Sequence, residues 1–143
     1  MIGSATATTQ AALYAKLTGD TTMMNMLATP GVLDMANVAN TQQFDYITLG
    51  DVHEQQSDSF TSRIYVLAYT LHIWTRSSNT QHSFRPAQMI LARLITLLHR
   101  KALTISDQRH IGTWYLDTVE MLDPDGLTQH LAAQFRIEVE EDF

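Results

Sequence analysis

A chain of 143 residues, 45% hydrophobic and 17% charged, is too apolar to be disordered and long enough to bury about 70% of its unfolded surface. A formal net charge of −6 argues against a broad basic face for nucleic-acid backbones, and the lack of cysteine excludes disulfides, thiolate nucleophiles and cysteine-based zinc sites. The opening "MIGSATATTQAALYAKL" has neither a basic stretch nor a continuous apolar run, and no later run approaches the about 20 residues that cross a bilayer, so a soluble chain without an export signal is expected.

Thr8 or Thr9 is placed to cap a first helix with the apolar stripe Ala12, Leu13, Tyr14 and Leu17, and Gly19 to stop it. Asp20 is placed to cap a short second helix through "TTMMNMLA", ended by Pro30 and Gly31. Met23, Met24 and Met26 read as core filler, with a methionine-lined groove as the alternative. "GVLDMANVANTQQ" reads as a short extended piece followed by a polar loop. In "FDYITLGDV", Phe44, Tyr46 and Thr48 alternate with Ile47 and Leu49, and Gly50 marks a bulge.

Residues 53–63, "HEQQSDSFTSR", read as a polar, flexible connection. The strand after it, residues 64–76, has Tyr65, Leu67, Tyr69, Leu71 and Ile73 on one face and begins the other with Ile64, Val66 and Ala68, which predicts a central position in a sheet. A helix through "RPAQMILARLITLLHRKAL" follows, capped by Asn79 or Ser83, with Pro86 in its first turn. Its apolar face is Ala87, Ile90, Leu91, Leu94, Ile95, Leu97 and Leu98, and His99, Arg100 and Lys101 complement its dipole.

Residues 110–122 and 127–140 read as two more strands. In the second, Leu131, Ala133, Phe135, Ile137 and Val139 face one way and His130, Gln134, Arg136 and Glu138 the other. The expected architecture is α+β: N-terminal helices, then a mostly antiparallel sheet packed by one long central helix, in one domain spanning residues 1–143.

Between the last two strands, Asp123-Pro124-Asp125-Gly126 can be read as a calcium loop or as a turn. Counted from Asp123, the fifth, ninth and twelfth positions are Leu127, Leu131 and Gln134, which supply no carboxylate for calcium. A turn needs only Pro124 at its second position and a glycine free to take a positive φ, and is preferred.

No other motif carries chemistry. The six histidines lack metal-ligand spacing, His72 reads as a hydrogen-bonded sheet residue, and His53 and His110 as solvent-facing groups. The six glycines make no Gly-x-Gly pair and no Gly-x-Ser-x-Gly elbow occurs. Asp51 with Glu54, and Asp117 with Glu120, have no pocket or partner that would make them acid–base pairs. Trp74, Trp114 and Tyr115 read as core or interface anchors. No catalytic residue, cofactor or metal is expected.

The ordered segments resemble the tail-terminator or tail-completion proteins of long-tailed bacteriophages. "AALYAKLTGDTTMMNML" is similar to that family's opening helix, break and short second helix. Tyr46, Ile47, Leu49 and Gly50 match its first strand, and "YTLHIWTRSSN" its long strand. "LITLLH" and "LDPDGLTQHLAAQFRIEVE" complete a likeness over nearly the whole chain. Asp45 stands where that family usually has proline, Asp51 replaces a common glutamate, and the helix proline of "RPAQM" is unusual.

The resemblance implies a structural virion protein, assembled in the host cytoplasm. It would form a ring, generally a hexamer, at the head-proximal end of the tail tube. The ring would end tube polymerisation, receive the neck or connector protein of the head, and let DNA pass. A neck adaptor of the same particle, or a monomeric ligand-binding α+β domain, are the alternatives. Ring formation needs one patch to dock on a different patch of the next copy. Within the polar connection the candidates are His53, Glu54, Ser57, Asp58, Phe60 and Arg63, and terminal Phe143 is a further anchor. Glu138, Glu140, Glu141 and Asp142 are the candidates for lining the lumen or for docking. A solvated loop and a solvated strand end are the plain alternatives.

Overall fold

The computed structural model describes residues 2–78 and 82–142. Helix α1, Thr6–Thr18, buries Thr9, Ala12, Leu13 and Leu17. Thr8 and Thr9 lie inside it rather than at its cap; that position belongs to Ala5, whose side chain cannot accept a hydrogen bond. Helix α2, Thr21–Asn25, is capped as expected, Asp20 accepting the Met23 amide at 2.8 Å. The same carboxylate accepts two bonds from Arg93, at 2.9 and 2.6 Å, and so ties the first helices to the third. Met23 is fully buried, and Met24 and Met26 pack against the core.

Strand β1, Val32–Asp34, runs parallel to β2, Tyr46–Gln56, and a 3-10 turn at Met35–Asn37 follows it. β2 pairs antiparallel with β3, Ser62–Arg76, and the register shifts between Leu49 and Val52, where Gly50 takes φ +123°. The bulge therefore sits where the glycine predicted it. Strands β4, Arg109–Leu122, and β5, Thr128–Asp142, complete a mixed sheet of order β1-β2-β3-β5-β4. β3 is central, as its two-sided apolar start required.

The connection at residues 53–63 is much shorter than expected. Residues 53–56 continue β2, pairing with residues 65–68 of β3, while Ser62 and Arg63 already pair with β5. Only residues 57–61 form the loop. Cross-strand pairing satisfies the backbone of a polar strand as well as of an apolar one, so side-chain polarity did not mark the boundary.

One face of the sheet holds the core. Tyr65, Leu67, Tyr69, Leu71 and Ile73 of β3 lie beside Leu131, Ala133, Phe135, Ile137 and Val139 of β5, all nearly inaccessible. Helix α3, Arg85–Leu98, covers them with Ala87, Ile90, Leu94 and Leu98. Its Pro86 sits in the first turn; the cap position belongs to Phe84 rather than to Ser83, whose hydroxyl accepts the Arg85 amide at 3.0 Å, and Asn79 lies outside the described residues. A single long central helix does not form. α3 has 14 residues and α1 has 13, and the two divide the face, α1 over β1 and β2, α3 over β3, β5 and β4. Five strands span roughly 19 Å, more than one helix of about 10 Å diameter can cover.

The Asp123–Gly126 stretch is the turn of the β4–β5 hairpin. The Gly126 amide bonds to the Asp123 carbonyl at 2.9 Å, and Gly126 takes φ +71°. The Asp125 carboxylate accepts the Leu127 and Thr128 amides and the Thr128 hydroxyl at 2.8–2.9 Å, which fixes the register of the last strand.

Candidate interaction surfaces

The β2–β3 hairpin carries six of the predicted interface residues and divides them. Phe60 is fully exposed at the tip, beside exposed Ser57 and Asp58. Asp58 lies 4.0 Å from half-buried Arg63. His53 is exposed on the helix-free face of the sheet, across from Ala68. Glu54 faces the other way and is engaged within the chain. Its Oε1 accepts the Ala5 amide at 2.7 Å and the hydroxyls of Ser4 and Thr6 at 3.0 and 3.2 Å. The first-turn amide of Thr6 is accepted by the Ser4 hydroxyl at 3.2 Å, and the Glu54 carboxylate, far along the sequence, holds Ser4 and Ala5 in place at the positive end of the α1 dipole.

The acidic strand end divides in the same way. Glu141 is 3% exposed, withdrawn among Ile2, Gly3, Tyr65 and Gln108 by hydrogen bonds, so it does not belong to an acidic surface. The strand alternation explains this: residue 141 has the parity of Ile137 and Val139, which point into the core. Glu140 and Asp142 point outward and share Arg109, at 2.6 and 3.1 Å. That guanidinium holds both carboxyls below their ordinary range. Glu138 is half-buried on the helix-free face, across from Val66 and Gly112. Phe143 lies outside the described residues.

The helix-free face has a structured centre that the sequence reading left scattered. His72 Nδ1 and His130 Nε2 lie 2.7 Å apart, and Trp74 stacks on His130 with ring centroids 3.8 Å apart. Tyr46 stacks on Trp74, the Phe44 ring meets Tyr46 tilted at 52° with centroids 5.1 Å apart, and the Arg76 guanidinium lies 4.5 Å from the Phe44 ring. Trp74 donates its indole N–H to Thr48 at 3.1 Å. The common parity of Tyr46, His72, Trp74 and His130 was visible in the sequence, but not the pairing that stacks them. His110, expected at the solvent, instead accepts the Leu103 amide with Nδ1 and bonds Thr113 through Nε2.

Burial pushes the His72 imidazole below its usual value against the opposing pull of Asp51, 3.7 Å away. Burial and then the charge of His72 do the same to His130, against Asp123. Both rings therefore bind protons less readily folded than unfolded. The stability they contribute is complete above about pH 6.5 and is lost as the pH falls through their lower folded values. Lowering the pH from about 7.5 to 5.5 is expected to lower the thermal midpoint by a larger step in the native chain than in a His72→Gln, His130→Gln double variant. Equal steps, measured by circular dichroism, would refute the coupling.

Strand β4 presents a different surface. From Leu116 onward it exposes Leu116, Val119, Met121 and Leu122, each between 38% and 56% accessible, and Leu127 follows at the hairpin end at 40%. This is the largest group of exposed apolar side chains on one element among the described residues. The strand at residues 110–122 was expected, but its uncovered apolar end depends on which elements lie beside it.

A profile of the family described as "Tail completion protein gp17" matches residues 11–140. The chain belongs to the tail completion family. The match takes in every element of the sheet and all three helices except the first turns of α1. A chain from the solved structure entitled "Virion of native gene transfer agent (GTA) particle" superimposes on this one with a TM-score of 0.84, covering 96% of this chain and 98% of that one. At 21% identity, that likeness shows that the two chains share a fold. No curated protein matches the sequence significantly. As a tail completion protein the chain is a structural component of a phage-like virion. Among the described residues no helix is long and apolar enough to cross a membrane, and no three His, Cys, Asp or Glu side chains gather as a metal site.

Proposed function

We propose that this tail completion protein acts as one domain that assembles into a closed ring, a hexamer, on the head-proximal end of the tail tube. There it ends tube polymerisation, receives the neck or connector protein and leaves a lumen for DNA. The observation that carries this reading is the family match over residues 11–140. The similar chain from a gene transfer agent virion supports it, as does the exposed apolar surface of β4, which a free monomer would leave in water. The hairpin tip, with Ser57, Asp58 and Phe60, and the outward acidic groups Glu138, Glu140 and Asp142 are the proposed contacts to neighbouring virion proteins. The role is mechanical and involves no catalysis.

Electron microscopy of particles assembled without the protein tests the reading. Overlong tails are expected, because nothing would stop tube growth. Tails of normal length beside unjoined heads would assign the protein to the neck instead.

A further inference from the structure

We propose that the outer half of β4 is the knob of a head-to-tail contact, and that a cleft between α1 and β1 of the next copy is its socket. The assignment rests on the ring reading above and gives that ring its interface.

The knob follows from the topology. β4 is the edge strand, hydrogen-bonded to β5 alone, so its outer row of amides and carbonyls has no strand partner. Val119 and Met121, opposite Ala132 and His130, project from the helix-free face. Leu122, opposite buried Gln129, projects from the other face, and Leu116 sits at a bulge. Apolar side chains on both faces of an unpaired edge are what isolated proteins avoid. At 38–56% exposure the five side chains, Leu127 included, offer on the order of 400 Å², about half of what each partner brings to a standard interface. A carbon-rich core of that share, ringed by polar groups, is the composition of a contact between copies of one chain.

The socket lies at the opposite edge of the same sheet. A cleft of about 710 Å³ opens between α1 and β1, lined by Ala7, Ala11, Tyr14, Val32, Leu33 and Leu49 among others. Tyr14, 51% exposed, lines it on the helix side, and Gln10 reaches from α1 to the Asp34 carboxylate of β1 at 2.8 Å, giving the cleft a polar margin. A convex apolar hairpin end thus stands on one edge and a concave, largely apolar cleft on the other, roughly 19 Å apart across five strands. Because the two patches differ, their union is heterologous, the kind of contact that builds a ring when the rotation between copies closes. The hairpin tip at residues 57–61 then stays free for other proteins.

Because the chain contains no cysteine, an Ala11→Cys, Val119→Cys double variant carries only the two thiols of interest. Both positions are exposed, and within one copy they are held apart, Ala11 on α1 over β1 and β2 and Val119 on the edge strand across the sheet. The double variant is expected to give a covalent ladder ending at one closed species, and each single variant to remain unlinked. Val119→Cys copies linking to one another would mean a two-fold contact and overturn the proposal. Absence of any linking, while the native mass of the unsubstituted chain is that of a ring, would overturn this interface and leave the ring reading standing. A monomeric native mass at high concentration together with no linking would overturn both.

Discussion

Replacing Glu141 by alanine is expected to destabilise the fold by about 3 kcal/mol, because it strands several donors that share one buried carboxylate. Oε1 accepts the Ile2 amide at 2.9 Å and the Gly3 amide and Tyr65 hydroxyl at 3.4 Å, while Oε2 accepts Gln108 at 2.7 Å. Tyr65 is 1% exposed, so its hydroxyl has no water to turn to. Burial opposes ionisation here, but the donors of Gln108, Ile2 and Gly3 outweigh it and hold the carboxyl below its ordinary range. A carboxyl with a depressed folded pKa contributes stability that is present above its unfolded value and lost as the pH falls through the folded one. The gap between native chain and variant in urea unfolding should therefore be widest near neutral pH and narrow below about pH 4.5. Amide exchange should accelerate at residues 2 and 3. An unchanged unfolding midpoint at neutral pH would refute the role assigned to Glu141.

Phe135→Ala is expected to cost about 4 kcal/mol, by lost transfer energy and the cavity left under α3. Phe135 is 1% exposed, pairs with Tyr69 on β3 and Tyr115 on β4, and meets the Tyr115 ring edge-on at 5.6 Å. The site sits in the middle of the sheet, held by cross-strand pairing on both sides, so collapse around the void is limited. For a chain of this size the loss lowers the thermal midpoint by roughly 10 °C. Phe135→Leu, which keeps most of the volume, should cost about 1.5 kcal/mol or less. A loss below about 1 kcal/mol for the alanine variant would show that the core does not depend on this ring.

The two variants probe information of different kinds. Phe135 was legible as core from the alternation of residues 131–139, since a period of two is a local property of a strand. Glu141 has that same parity, yet it was grouped with Glu138, Glu140 and Asp142 by charge. Continuing the alternation two residues further would have placed it inward. Glu54 carried no such signal. Its role in anchoring the start of α1 depends on which strand passes the helix start, and nothing near residue 54 encodes that. His72 and His130 likewise lie far apart in sequence and meet only because β3 and β5 pair in one register.

By itself the sequence determined the α+β class, the buried face of each long strand, the bulge at Gly50 and the turn at Asp123–Gly126. These follow from side-chain periodicity, or from a backbone conformation that only certain residues adopt readily. It also carried the family, through the order of its segments. The tertiary structure alone decided that two helices share one face of the sheet, and that residues 53–56 belong to a strand. It also decided that two carboxylates, Glu54 and Glu141, fasten the start of the chain, and that β4 ends as an uncovered apolar edge. Each of these depends on which elements become neighbours. Whether a side chain is buried, paired or left for a partner is a property of that neighbourhood and not of the residue.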